Sequence, residues 1–377
     1  MSTISTLRVG AVGAVLALVM GAAAQTASAR SESPPQPARA HSAAHSAVQA
    51  VEEETARAVA ASLGDSAWRD GLRATARGGT EIDLAAAAAH TPGAAARTLA
   101  ASVAEGNTRV LAAKGLDAAT GPLLRLRLGD PSMRAALDAG TAPWVAAAPA
   151  SDRATTLTAY DSRGRAHTLA AAEVPEQPIY LVDIDVTRAL AGGAEILRRT
   201  LGGTAAVRPQ AAAADGWWGT KIDAIEVSDD EEPWFKGAAE MYALVTGFGT
   251  DGKVRVDPVD MPYLDYDGTV YRPNQILVNW SNYKYNLADV VLMEEDGSTN
   301  YQALAKAIAA VLLTITDQGA YIPLVNAVLD AIPTEWWTDD PDYVDSWYTL
   351  ARTSSGRLNG ARANGWMSVS PYWVSAF

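Results

Sequence analysis

Three acidic runs carry the residue types most able to do chemistry. Asp229-Asp230-Glu231-Glu232, Asp265-Tyr266-Asp267-Gly268 and Glu294-Glu295-Asp296-Gly297 each place carboxylates next to a glycine or proline that turns the chain. Clustered oxygen donors suit a hard divalent cation, and calcium takes about six to eight oxygens, often gathered from several loops. The chain has no cysteine and no histidine after His167, which argues against zinc or copper in that region. Asp265-Tyr266-Asp267-Gly268 matches the opening of an EF-hand loop but lacks its later ligands. The expected calcium ligands are Asp229, Asp230, Asp265, Asp267 and Glu295. A fourth run, Asp339-Asp340-Pro341-Asp342-Tyr343-Val344-Asp345, can join them or stand apart. The competing reading is that these loops are solvated and keep the protein soluble.

Catalytic constellations are sparse. His41 and His45 have i,i+4 spacing but lack the glutamate of the His-Glu-x-x-His motif. His90 and His167 have no Gly-x-Ser-x-Gly elbow to serve. Ser281-Asn282-Tyr283-Lys284 fits Ser-x-x-Lys, yet its serine ends an expected strand and not a helix start. A carboxylate pair acting on a polysaccharide is the enzymatic alternative, since acidic loops and tryptophans are both plentiful. Trp280, Trp347 and Trp373 are expected in the core, and Trp336 and Trp337 as a surface contact.

The elements that must position these residues follow from periodicity. Helices are expected over Ala47–Leu63 and Ala94–Lys114, where apolar residues recur at helical spacing before a glycine. Leu123–Leu128, Pro143–Ala148, Leu157–Tyr160 and Ile179–Ile184 read as strands, and Asp161-Ser162-Arg163-Gly164 as a β-turn leading to His167. Further strands are expected at Lys221–Val227, Ala238–Gly247, Lys253–Val256, Gln275–Ser281, Asp289–Glu294, Tyr343–Leu350 and Gly365–Val374. Apolar helices at Tyr301–Thr316 and Tyr321–Ile332 interrupt that series. Antiparallel strands reverse direction at each turn, so alternate turns share one end. The three acidic runs fall on such alternate turns.

Composition divides the chain near residue 205. Upstream, acidic and basic residues balance at 20 each; from Gly216 onward 23 Asp and Glu face 10 Lys and Arg, so the net charge of −13 lies there. That balance disfavours nucleic acid. The expected organisation is an α+β domain over 47–200, a linker over 201–215, and an acidic antiparallel β-sandwich over 216–377 with a helical hairpin at 301–332.

The first residues read as an export signal. Arg8 precedes the uncharged apolar stretch Val9–Ala24, and Ala27-Ser28-Ala29 supplies a small-x-small cleavage site. Cleavage near Ala29 would release a secreted chain with no membrane span and a disordered start over 30–46. Without cysteine, neither a lipid anchor at the cleavage site nor a disulfide is available.

The stretch Lys221-Ile222-Asp223-Ala224-Ile225-Glu226-Val227-Ser228-Asp229-Asp230-Glu231-Glu232-Pro233-Trp234, followed by Lys236-Gly237-Ala238-Ala239-Glu240-Met241-Tyr242, resembles the secreted bacterial proteins grouped as domain of unknown function 3103. Val259-Asp260-Met261-Pro262-Tyr263, Asp342-Tyr343-Val344-Asp345-Ser346 and the Ala159-Tyr160-Asp161…His167 hairpin before Pro175-Glu176 add to the likeness. The resemblance implies export and a β-rich fold, and assigns no activity. The expectation is therefore a secreted, non-enzymatic, calcium-binding β-sandwich or interaction module with an extracellular protein or carbohydrate partner. The alternative is an extracellular hydrolase.

Overall fold

The computed structural model describes residues 37–76, 81–149, 151, 154–202, 216–229, 234–237, 239–295, 297, 299–332 and 343–375. The expected export signal, most of the expected linker, Asp230, Trp336 and Trp337 lie outside the described residues.

The first half supplies helices α1 (Pro37–Ser62), α2 (Ser66–Ala76), α3 (Leu84–His90), α4 (Ala94–Ala113), α5 (Arg134–Asp138) and α6 (Val186–Leu201). Its strands are β1 (Ile82–Asp83), β2 (Leu124–Leu128), β3 (Trp144–Ala147), β4 (Thr156–Tyr160), β5 (Ala166–Ala170) and β6 (Ile179–Ile184). They form one sheet of order β1-β2-β6-β3-β4-β5, antiparallel except for the β3–β6 pair. Alternation sorts its faces. Leu124, Leu126, Tyr180 and Val182 join the buried cluster of α1, α3 and α4, while Ile179, Leu181, Ala146 and Ala159 pack under Phe235 and Trp234. Gly106 of α4 sits where a Cβ would meet Leu124 Cδ1 at 2.9 Å, so its missing side chain sets the helix–sheet distance. The start of α1 at Pro37 is earlier than the Ala47 expected, consistent with the high helix propensity of its alanines.

The second half adds β7 (Gly216–Val227), β8 (Met241–Phe248), β9 (Val254–Asp260), β10 (Gln275–Asn279) and β11 (Leu287–Glu294). Helices α7 (Tyr301–Leu312) and α8 (Val325–Ala331) and strands β12 (Tyr343–Ala351), β13 (Gly356–Asn359) and β14 (Gly365–Ser375) complete it. Two four-stranded antiparallel sheets result, β10-β7-β14-β13 and β12-β11-β8-β9. Ile222, Ile225, Met367 and Val369 of the first share a buried cluster with Ala243, Val245, Val290 and Leu292 of the second. The opposite side of β8 and β11 is buried too: Tyr242, Leu244, Val291 and Met293 pack in the cluster that holds α1, α6, α7 and α8.

That cluster crosses the composition boundary near residue 205, and Pro35–Phe377 form one compact unit. The fold is mixed α and β with several antiparallel sheets. No described helix is long and apolar enough to cross a membrane.

Candidate functional site

The acidic turns meet at one end of the paired sheets, tied by backbone bonds. Gly268 N–H donates to Val227 O at 2.8 Å, Ala239 N–H to Asp265 O at 3.3 Å, and Glu295 N–H to Glu240 O at 3.0 Å. Asn364 Nδ2 donates to Asp229 O at 3.0 Å, bringing the β13–β14 connection to the same end.

The expected ligand side chains have different fates. Asp229 and Asp267 are exposed and Asp265 is half-buried. Glu295 is buried, with Oε1 2.7 Å from Lys114 Nζ, and both side chains are 0% exposed. Its charge is therefore matched from within the protein. Asp230 lies outside the described residues. Among the described residues, no group of three or more Asp, Glu or His side chains is gathered as a metal site. Calcium binding there would require rearrangement of the exposed loops or ligands from Asp230-Glu231-Glu232, which follow Asp229 in the chain.

Glu240 was not foreseen as a site residue. Its Oε1 accepts from Thr187 Oγ1 at 2.8 Å, joining the residue just before β8 to the first turn of α6. Burial pushes its carboxyl up to about 7, and the charges of Asp265, Glu81 and Asp260 push the same way, while the Thr187 bond opposes them. Burial also raises Asp265 and Asp260, the latter opposed by Arg198. Burial, which disfavours the charged carboxylate, is the main cause, and the neighbouring negative charges add to it.

The neighbouring edge of the six-stranded sheet shows the opposite arrangement. Arg125 contacts Asp83 at 3.1 Å and Asp185 at 2.5 Å, and Arg127 contacts Asp183 at 3.5 Å and donates to Phe235 O at 2.5 Å. Asp83, Asp183 and Asp185 each meet a guanidinium.

Two further carboxylates serve the fold. Asp345, from the fourth acidic run, is 0% exposed and accepts from the amides of Ser346, Arg362, Asn364 and Gly365 at 2.8–2.9 Å. A Cβ at Gly360 would come within 2.0 Å of its Oδ2, so only glycine allows this approach. Asp289, equally buried, accepts from Leu324 N–H at 2.5 Å and Thr349 N–H at 2.6 Å.

The remaining catalytic motifs are used structurally. His167 stacks on Trp144 at 3.8 Å and lies 3.4 Å from Asp161, which also accepts from Arg165. Ser281 falls in a 3₁₀ turn, and Lys284 is bound to Asp317 at 2.5 Å. His90 Nδ1 is 2.6 Å from Ala86 O within its own helix. His41 and His45 lie on α1. Trp280 and Trp347 are buried as expected. Trp373 is not: it is 39% exposed and packs edge-on against the 41%-exposed Trp218 at 5.3 Å, because β7 and β14 extend past the buried cluster.

A model of a protein family of unknown function, DUF3103, matches residues 57–376. The chain belongs to the DUF3103 family. The match starts within α1 and runs through the whole of β14, so the DUF3103 unit takes in both the helix-backed sheet and the acidic region. No curated protein and no solved structure matches the chain.

Proposed function

We propose that this DUF3103 protein is an exported, non-enzymatic β-sandwich module whose acidic end takes up calcium. The observation that carries the reading is the backbone bonding of Gly268 to Val227, Ala239 to Asp265 and Glu295 to Glu240, which brings the acidic turns to one end, where the charges of Asp265, Glu81 and Asp260 add to the effect of burial on Glu240. Like charges held close by the fold repel one another, and a divalent cation relieves that repulsion. The buried cluster shared by the two four-stranded sheets supports the sandwich description. Asp229, Asp230, Asp265 and Asp267 are the assigned ligands; Glu295 is left out because Lys114 already engages it.

Calorimetry with calcium and with excess chelator tests this. Binding to the native state raises the melting temperature by mass action. The reading predicts a calcium-dependent rise that the double variant Asp229→Asn/Asp265→Asn loses. Equal melting temperatures for the wild type in both buffers would count against it.

One observation favours the second reading, an extracellular hydrolase. A carboxyl titrating at about 7 is suited to general acid catalysis near neutral pH, and Glu81 is one of the acids whose charge acts on it. Release of reducing sugar from a polysaccharide panel, abolished in Glu240→Gln, would support it; no release by the wild type would dismiss it.

A further inference from the structure

The pair formed by Lys114 and Glu295 has features that a simple ion pair does not explain. Both side chains are 0% exposed, and Nζ lies 2.7 Å from Oε1. Nζ also donates to Gly297 O at 2.8 Å and sits 5.3 Å from the centre of the Tyr301 ring. The other carboxylate oxygen, Oε2, is buried with no hydrogen-bond partner. Leaving a charged oxygen dry and unpartnered is among the more expensive things a fold can do, and such a group calls for an explanation.

From this geometry we infer that Lys114 and Glu295 condense to an amide, a covalent tie between the end of α4 and the turn after β11. Within the dry pair a proton passes from Nζ to the carboxylate, giving an amine and a carboxylic acid. The Nζ lone pair adds to Cδ and forms the N–C bond. The Cδ–Oε1 bond then breaks, and Oε1, the oxygen that Nζ reaches, departs as water with the two hydrogens that Nζ loses. Nothing is oxidised or reduced. The oxygen that stays, Oε2, becomes an uncharged amide carbonyl, which costs less to bury without a partner than a carboxylate oxygen does, and the remaining amide N–H keeps Gly297 O as its acceptor. Holding amine and carboxyl in contact makes the condensation effectively unimolecular, and well-oriented groups reach effective concentrations of about 10⁵ M or more, which speeds the step. The tie spans 181 residues in a chain with no cysteine, and restricts the unfolded chain much as a disulfide would.

Intact-mass measurement of the full, denatured protein tests the inference without requiring any variant to fold. The expected mass is one water, about 18 Da, below that of the chain beginning at its measured N-terminus. A tryptic digest should leave the Lys114–Gly115 bond uncut and join its peptide to the one containing Glu295. Lys114→Arg should restore the full mass. A wild-type mass equal to that of the uncondensed chain overturns the inference, as does loss of water at any other pair of residues.

Discussion

On the six-stranded sheet, carboxylates meet guanidinium groups: Asp83 and Asp185 hold Arg125, Asp183 holds Arg127, and Asp161 holds Arg165. In the two four-stranded sheets the most deeply buried carboxylates meet backbone amides instead, as Asp289 and Asp345 do. A carboxylate that binds amides keeps its formal charge, so it still counts toward the −13 while offering nothing to a cation. Net charge therefore overstates the ligand supply of the second region. Among the described residues of the acidic end, Glu240 stands half-buried and Asp229 and Asp267 stand exposed.

Variants can break this comparison. The largest effect is expected from Asp345→Ala, which removes a buried carboxylate and leaves three amides of the β13–β14 connection without their acceptor; urea denaturation should show a loss of about 3 kcal/mol or more. Arg125→Met removes the cation between Asp83 and Asp185. Those acids retain some contact with water, so a loss of about 2 kcal/mol is expected in the same assay. If Arg125→Met costs more than Asp345→Ala, the contrast between the two regions is misjudged.

A pH series sharpens it further. Glu240 titrates at about 7 in the fold against an ordinary 4.5. A raised carboxyl binds its proton more tightly in the folded state. Its contribution to stability is thus fully present below 4.5 and is lost as pH rises through 7. Chemical denaturation from pH 4.5 to 8 should show that decline in the wild type and a flatter profile in Glu240→Gln. The smallest effect belongs to Trp373→Ala at the open end of β14, within about 0.5 kcal/mol of wild type by thermal melts.

Much of the architecture was legible in the sequence, because the short apolar runs at Ile179–Ile184 and Asp289–Glu294 and the alternation at Leu123–Leu128 need no distant partner. Helix α6 escaped notice because Gly192-Gly193 weakens its propensity; a Cβ at Gly193 would fall 2.2 Å from the Tyr301 ring, a contact that only the tertiary structure reveals. Strand β13 escaped because it is four residues long and mostly exposed. The meeting of the acidic turns was readable from strand alternation alone. The engagement of Glu295 was not, since Lys114 is 181 residues away, and the amides that hold Asp345 come mainly from 17 to 20 residues further on.

Isothermal titration of calcium into the wild type at pH 8, where Glu240 has shed its proton, addresses the acidic end most directly. Heat of binding that saturates, and that Asp229→Asn/Asp265→Asn removes while the chain stays folded, is the predicted result. A flat titration of folded wild-type protein would mean that the acidic turns share one end of the fold without sharing an ion.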